Sequence, residues 1–416
     1  MMQSSYASPK SATLPRRKIV ITALGLTQVL AWGSSYYLLA VLAKPIALDT
    51  GWPLAWVVGG LSLGLLMAGF VSPRVGDAIE RRGGRPVLAT SAILLALGLV
   101  GLALAPDLPA YMASWLILGL GMGAGLYDAA FATLGRLYGQ RARVSIATLT
   151  LFGGFASTAC WPLSAVLVSA FGWRGACLIY AAVHLAIVLP LYILALPRET
   201  DRRGSLTGTH RQLPDHERLP IFASARSVLL FVLLAAAITV NSMISTVVSV
   251  HLLTILQARD IALAVAVALG ALVGPSQVGA RAIEMLVSRY HHPVWTLLAS
   301  TVLVAIGVGA LWMGLPVISA ALVFYGAGIG LESIARGTLP LAIFGEKGYA
   351  AIMGRIAMPS LIAQAASPSL GALLMERIGA DGTLAILFAT AIVGLLLALT
   401  LFALLPRQKT AEATAS

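Results

Sequence analysis

The chain has 416 residues, 59% of them hydrophobic and only 11% charged, with a mean hydropathy of +0.90. Soluble domains carry roughly 25% charged residues, so the composition excludes an ordinary soluble protein and marks a polytopic membrane protein. A formal charge of +12 could suit a nucleic-acid partner, but the placement of the charges argues against one, and the two cysteines, Cys160 and Cys177, make neither a disulfide framework nor a paired-Cys zinc site.

Residues 1–18 are Ser-rich and basic and read as a tail. The apolar run from Ile19 is too long for a signal-peptide core and lacks a small-residue cleavage site, so it reads as a retained first helix. A bilayer crossing needs roughly 20 apolar residues. On that measure the chain predicts helices near 19–43, 54–73, 87–104, 110–137, 144–170 and 175–196, then near 227–256, 261–286, 293–313, 316–343, 350–375 and 380–405. The polar stretch 197–226 reads as a flexible linker between a first bundle, 19–196, and a second, 227–405, followed by a tail at 406–416.

With the N-terminus assigned to the cytoplasm, all of the 28 Lys and Arg except Lys44, Arg174, Arg259 and Arg377 fall on the cytoplasmic side. That assignment counts Arg281 and Arg336 among the cytoplasmic charges. Such a bias is the positive-inside pattern; it places both termini in the cytoplasm and explains the basic chain without nucleic acid. Anionic membrane lipids are the expected neighbours of these loops.

Between the second and third predicted helices, residues 73–86 contain Gly76, Glu80, Arg81, Gly83 and Arg85 in the pattern G-x-x-x-[DE]-R-x-G-x-R. The second half carries a partial copy at Gly279, Arg281, Glu284 and Arg289, with the Gly-to-Glu spacing one residue longer. This loop, the helix number and the central linker resemble the major facilitator superfamily over essentially the whole chain. The resemblance implies an all-α membrane fold of two six-helix bundles related by a pseudo-two-fold axis. It also implies that Gly76, Glu80, Arg81, Gly83 and Arg85 form a conformational gate, Gly76 allowing close packing and Glu80 accepting from arginines, with Arg81 and Arg85 as donors. The fourth helix lacks the arginine, and the fifth the Gly-Pro-x-x-Gly-Gly run, of proton-driven drug antiporters, which disfavours a generic multidrug antiporter. The turn 138–147 and Gly172-Trp173-Arg174 loosely resemble monocarboxylate-type members.

In that family the first, fourth, seventh and tenth helices line the central cavity. Gln28, Trp32 and Tyr36 recur at helical spacing on one face of the first helix and suit an organic substrate held by stacking and hydrogen bonds; the same face would serve ordinary helix packing. Asn241, Tyr325, Arg336 and Gln364 complete the substrate-binding candidates. Asp128 and Glu332 are the acids read as intramembrane, and each is a candidate for proton coupling because an unpaired carboxylate there is costly. Arg336 stands one turn after Glu332, so a static i,i+4 ion pair is the competing reading.

The expected function is secondary active transport of a small organic solute, aromatic or carboxylate-bearing, by alternating access and coupled to protons. Efflux of a toxic compound or metalloid is the alternative within that class, and a transporter-like sensor lies outside it. No Gly-x-x-x-x-Gly-Lys phosphate loop supports ATP use, and the scattered histidines do not suggest an enzyme. No cofactor or metal is expected, and the protein reads as a monomer in the cell (inner) membrane.

Overall fold

The structure, a computed structural model, describes residues 17–198 and 224–405. These are helical almost throughout, without a strand among them. Apolar runs dictate this, because a backbone surrounded by lipid must satisfy its own N–H and C=O groups. The first half consists of α1 (Arg17–Gly33), α2 (Leu39–Thr50), α3 (Leu54–Arg82), α4 (Gly84–Leu104), α5 (Leu108–Gly125), α6 (Tyr127–Tyr138), α7 (Ala142–Gly154), α8 (Ala156–Val183) and α9 (Leu189–Ala195). The second half holds α10 (Ala225–Gln257), α11 (Leu263–Gly270), α12 (Val273–Val287), α13 (Pro293–Trp312), α14 (Ile318–Phe344) and α15 (Tyr349–Leu404). Among the described residues eight helical stretches are long and apolar enough to cross a membrane. Large apolar side chains such as Leu104 and Leu194 point outward, as a lipid-facing surface requires.

Several predicted helices are interrupted. The first run breaks at residues 34–38, where the Ser34 and Ser35 hydroxyls donate to the Leu30 and Ala31 carbonyls at 2.8 and 2.5 Å. The fourth breaks at Leu126, whose extended backbone (φ −80°, ψ −167°) separates α5 from α6. The eighth breaks between α11 and α12. Conversely, α8 and α15 each run through two predicted helices and change direction at Gly172 (φ 69°, ψ 174°) and Gly379 (φ 69°, ψ −173°). Only glycine takes such a conformation without strain.

Those two turns are matched two residues later by opposite charges. Asp49, after the first predicted helix, accepts from Trp173 Nε1 at 2.9 Å and from Arg174. In the second half Arg259 donates from Nε to Asp381 at 2.9 Å. The same corner brace is thus built twice with its polarity inverted. Asp49 is held below the usual carboxylate range by the Trp173 hydrogen bond and then by Arg174.

The two halves meet at the end that carries the loop arginines. A Cβ on Gly76 of α3 would collide with the Ala350 carbonyl and lie 3.1 Å from the Gly354 Cα on α15, so glycine lets these backbones touch.

Candidate functional site

The break at Leu126 frees the carbonyl of Gly125, and Gln28 on α1 donates to it from Nε2 at 2.7 Å. Its Oε1 accepts from Trp32 Nε1 at 3.2 Å. Gln28 is fully buried and both ends of its amide are occupied, so it positions Trp32 instead of facing a ligand. Trp32 is the centre of an aromatic group, with ring centroids 5.0 Å from Tyr127, 5.2 Å from Tyr36 and 6.0 Å from Tyr37. Tyr37 continues edge-on to Trp161 at 6.2 Å, and Tyr127 stacks on Phe131 at 5.1 Å.

Arg281 on α12 comes to the same place. It is 5% exposed and uses backbone acceptors: Nη1 donates to Thr150 at 3.0 Å and Nε to Gly330 at 3.4 Å, while Nη2 donates to Gln277 Oε1 at 3.3 Å. Tyr127 donates its hydroxyl to the same Thr150 carbonyl at 3.4 Å, and the Arg281 charge acts on both Tyr37 and Tyr127. Among the described residues Arg281 has no carboxylate within ion-pairing distance. Its charge reaches the carboxyl of Glu332 on α14, so the two buried groups partly offset each other without forming an ion pair. From the loop pattern Arg281 read as a cytoplasmic charge; folding places it in the interior of α12, as it places Arg336 in the interior of α14. The signal that could have found it was its position five residues before the end of the predicted helix 261–286.

Arg336 forms the deepest ion pair between the halves. Its Nε and Nη2 donate to Asp128 Oδ1 and Oδ2, both at 2.8 Å, the two-pronged geometry that a guanidinium and a carboxylate favour. Nη1 donates to Ser360 Oγ at 3.0 Å; Ser360 in turn donates to Ser242 at 2.9 Å and accepts from Gln364 at 3.2 Å. The intrahelical Glu332–Arg336 pair is therefore not formed here. Glu332 is 8% exposed and its Oε1 is buried without a donor. Asn241, 1% exposed, has an unpartnered Nδ2, and Tyr325 donates to the Ser245 carbonyl at 3.3 Å. Gln364 and Arg336 share one network with Asp128, whereas Gln28, Trp32 and Tyr36 belong to the aromatic group.

At the basic end, Glu80 accepts from the backbone N–H groups of Gly348 and Ala350, both at 3.3 Å. A carboxylate there meets the positive end of the α15 dipole. Arg136 donates to the Glu80 carbonyl and lies 3.9 Å from its carboxylate. The donors expected from Arg81 and Arg85 are thus supplied by Arg136 and the α15 terminus, with Arg81 exposed at the end of α3 and Arg85 half-buried at the start of α4. Gly83 has φ 84° and lets α4 begin one residue after α3 ends. Asp77 pairs with Arg355 at 3.5 Å, and Gln140 N donates to Glu346 at 2.8 Å.

The partial copy of the loop behaves differently. Gly279 has nothing within 4 Å of a Cβ, so it mediates no close approach. Glu284, missed as an interior acid, is 5% exposed and accepts from Thr296 at 2.7 Å, with His291 3.4 Å away. Across the interface Arg143 donates to the His291 carbonyl at 2.7 Å. Next to it, burial holds the His292 imidazole below its ordinary range, with the Arg143 and His291 charges adding to the effect. The described residues contain no group of three or more metal-ligating side chains.

Comparison with known proteins gives the family and the fold. Monocarboxylate transporter 11 of Homo sapiens is 34% identical over 159 residues, 35% of this chain and 31% of that protein. Monocarboxylate transporter 13 of Rattus norvegicus is 32% identical over 136 residues, 32% of this chain and 31% of that one. The match spans about a third of the length of these curated relatives. Among solved structures, a proton:xylose symporter bound to 6-bromo-6-deoxy-D-glucose superposes with a TM-score of 0.73 at 13% identity, covering 94% of this chain and 96% of that one. The human organic anion transporter MFSD10 superposes at 0.68 and 18% identity, over 92% and 100%. At such identities these likenesses concern the fold alone. The family model described as Major Facilitator Superfamily matches residues 24–292, and with it the chain belongs to that superfamily.

Proposed function

We propose that the protein is a proton-coupled secondary transporter of a small organic anion, an aromatic or otherwise apolar carboxylate, working by alternating access between its two halves. The observation that carries this reading is Arg281, a buried guanidinium that hydrogen-bonds backbone carbonyls and forms no ion pair, set against Tyr37 and Tyr127. A carboxylate would supply a countercharge in a charge-assisted hydrogen bond, while Trp32, Tyr36 and Tyr127 would cover an apolar body. The names of the relatives, two monocarboxylate transporters and an organic anion transporter, support the same ligand class.

In this reading Asp128 and Glu332 serve proton coupling, which their nearness to Arg336 supports. The charge distribution supports both termini in the cytoplasm; the same reading takes the protein as a monomer of the cell inner membrane, with two bundles joined by residues 197–226 and no enzymatic or cofactor role. Metalloid efflux would need accessible thiols, whereas Cys160 and Cys177 are both buried.

The test is uptake by purified protein in proteoliposomes with an imposed pH gradient, using a panel of labelled benzoate-like, short aliphatic and zwitterionic solutes. Accumulation of a monoanion by wild type and loss of at least about tenfold in uptake by Arg281→Gln, as expected for a lost charge-assisted contact, supports the reading. Equal handling of the panel, or an Arg281→Gln variant with wild-type anion uptake, rejects it.

A further inference from the structure

One arginine stands between two acids. Arg336 has committed both prongs of its guanidinium to Asp128, which belongs to the first half. Its remaining donor is occupied by Ser360 and, at 3.5 Å, by Ser242. Glu332, one helical turn earlier on α14, is the nearer acid in sequence yet receives no hydrogen bond on its buried Oε1. The charges that face Glu332 are Arg336 from its own helix, Asp128 from α6 and Arg281 from α12. A carboxyl so placed is compensated either by Arg336 or by a proton. Asp128 and Arg336 can stay together only while the halves are closed at the basic end, because their elements lie on opposite sides of the interface.

From this geometry we propose that Arg336 is exchanged between Asp128 and Glu332 during transport: Asp128 is the lock, Glu332 the proton carrier and Arg336 the switch between them. This rests on the proton-coupled reading above and assigns a separate role to each residue in it. With the basic end closed, Arg336 belongs to Asp128 and Glu332 is the neutral acid, its proton replacing the missing cation. When the halves part, Arg336 loses Asp128 and turns back one turn to Glu332, whose O–H bond breaks. The proton leaves to the opened side, and the electron pair stays on a carboxylate now paired with the arginine. Arg281 links this exchange to the ligand. An anion seated on Arg281 cancels a positive charge that acts on Glu332, so the anion and the Glu332 proton bind cooperatively, and the pair crosses as a neutral sum.

The exchange makes two isosteric substitutions act in opposite directions. Spin labels at Thr90 and Trp295, both on exposed surfaces near the basic ends of the two halves, report the separation without any substrate. In wild type, the closed population rises as pH falls. Glu332→Gln leaves Arg336 permanently with Asp128, so the protein is closed at every pH. Asp128→Asn hands Arg336 permanently to Glu332, so it is open at every pH, with the open-to-closed ratio shifted by about tenfold or more in each case, an ordinary size for such coupling. Thermal unfolding of both variants shows that they are folded; should either fail to fold, Asp128→Glu and Glu332→Asp are measured, and each retains the pH response with its midpoint moved. Shifts in the same direction, or a pH response retained by both neutral variants, overturn the exchange. If the opposite shifts are found while proteoliposomes show no proton-coupled flux, the transport reading fails and the exchange stands.

Discussion

Gly76 offers a direct test of how the basic end closes. A Cβ added there would strike the Ala350 carbonyl and sit 3.1 Å from Gly354 Cα and 3.2 Å from Gly354 N, all backbone atoms of α15 that cannot rotate away. In the closed state Gly76→Ala therefore forces α3 and α15 apart; once the halves separate, the methyl group meets no obstacle. Overpacking of this kind costs about 1–3 kcal/mol. Because the cost falls on one state only, the open-to-closed ratio at the basic end should rise roughly 5- to 150-fold. The assay is the label distance across that end, or the accessibility of a cysteine introduced nearby, with Gly279→Ala as the control because nothing lies within 4 Å of its Cβ. Gly354→Ala, which would strike the Ser72 carbonyl, should reproduce the shift. An unchanged distribution in Gly76→Ala, or an equal shift in Gly279→Ala, would refute the reasoning.

Glu80→Gln removes the charge from the α15 terminus while keeping an acceptor, so the closed state should weaken by about 0.3–1 kcal/mol, less at high salt; label distances at two ionic strengths measure it, and salt-independent behaviour of wild type speaks against the dipole contact. Gly172→Ala must place a side-chain-bearing residue at φ 69°, ψ 174°, at a cost of about 1–3 kcal/mol seen as a lower melting temperature. The Asp49 brace sets a pH dependence. Its folded-state carboxyl is held lower than in the unfolded chain, so its contribution is present at neutral pH and lost as pH falls through the folded value. Asp49→Asn should accordingly lower thermal stability at pH 7 and converge with wild type in acid; a difference that persists in acid would show that hydrogen bonding alone matters there.

The interruptions show where reading along the chain stops. Nothing in the run 110–137 announces a break at Leu126, since its backbone is compensated by Gln28 from another helix. The same holds at 34–38, where Ser34 meets His184 Nε2 at 2.7 Å across 150 positions. Trp32 and Tyr36 were legible as neighbours from their spacing, although α1 ends at Gly33 and the turn at 34–38, not a continuous helix face, sets Tyr36 beside Trp32. Tyr37, Tyr127 and Trp161 were not, as they join that pair only through tertiary packing. Arg281 looked like half of a degraded loop motif, and its neighbours in space, Thr150 and Gly330, lie 131 and 49 positions away.

What the sequence determined by itself follows from solvent and period. Runs of apolar residues must be helical in lipid, the basic loops oppose crossing, and Gly83 marks a tight turn between two helices, while Gly76 and Glu80 lie inside the helix before it. What only the tertiary structure decided is which charges cancel. Local sequence offered Arg336 to Glu332 at an i,i+4 distance, but a guanidinium satisfies a carboxylate best with both prongs in one plane. Asp128 provides that plane from the opposite half, 208 positions away, leaving the buried Oε1 of Glu332 without a donor.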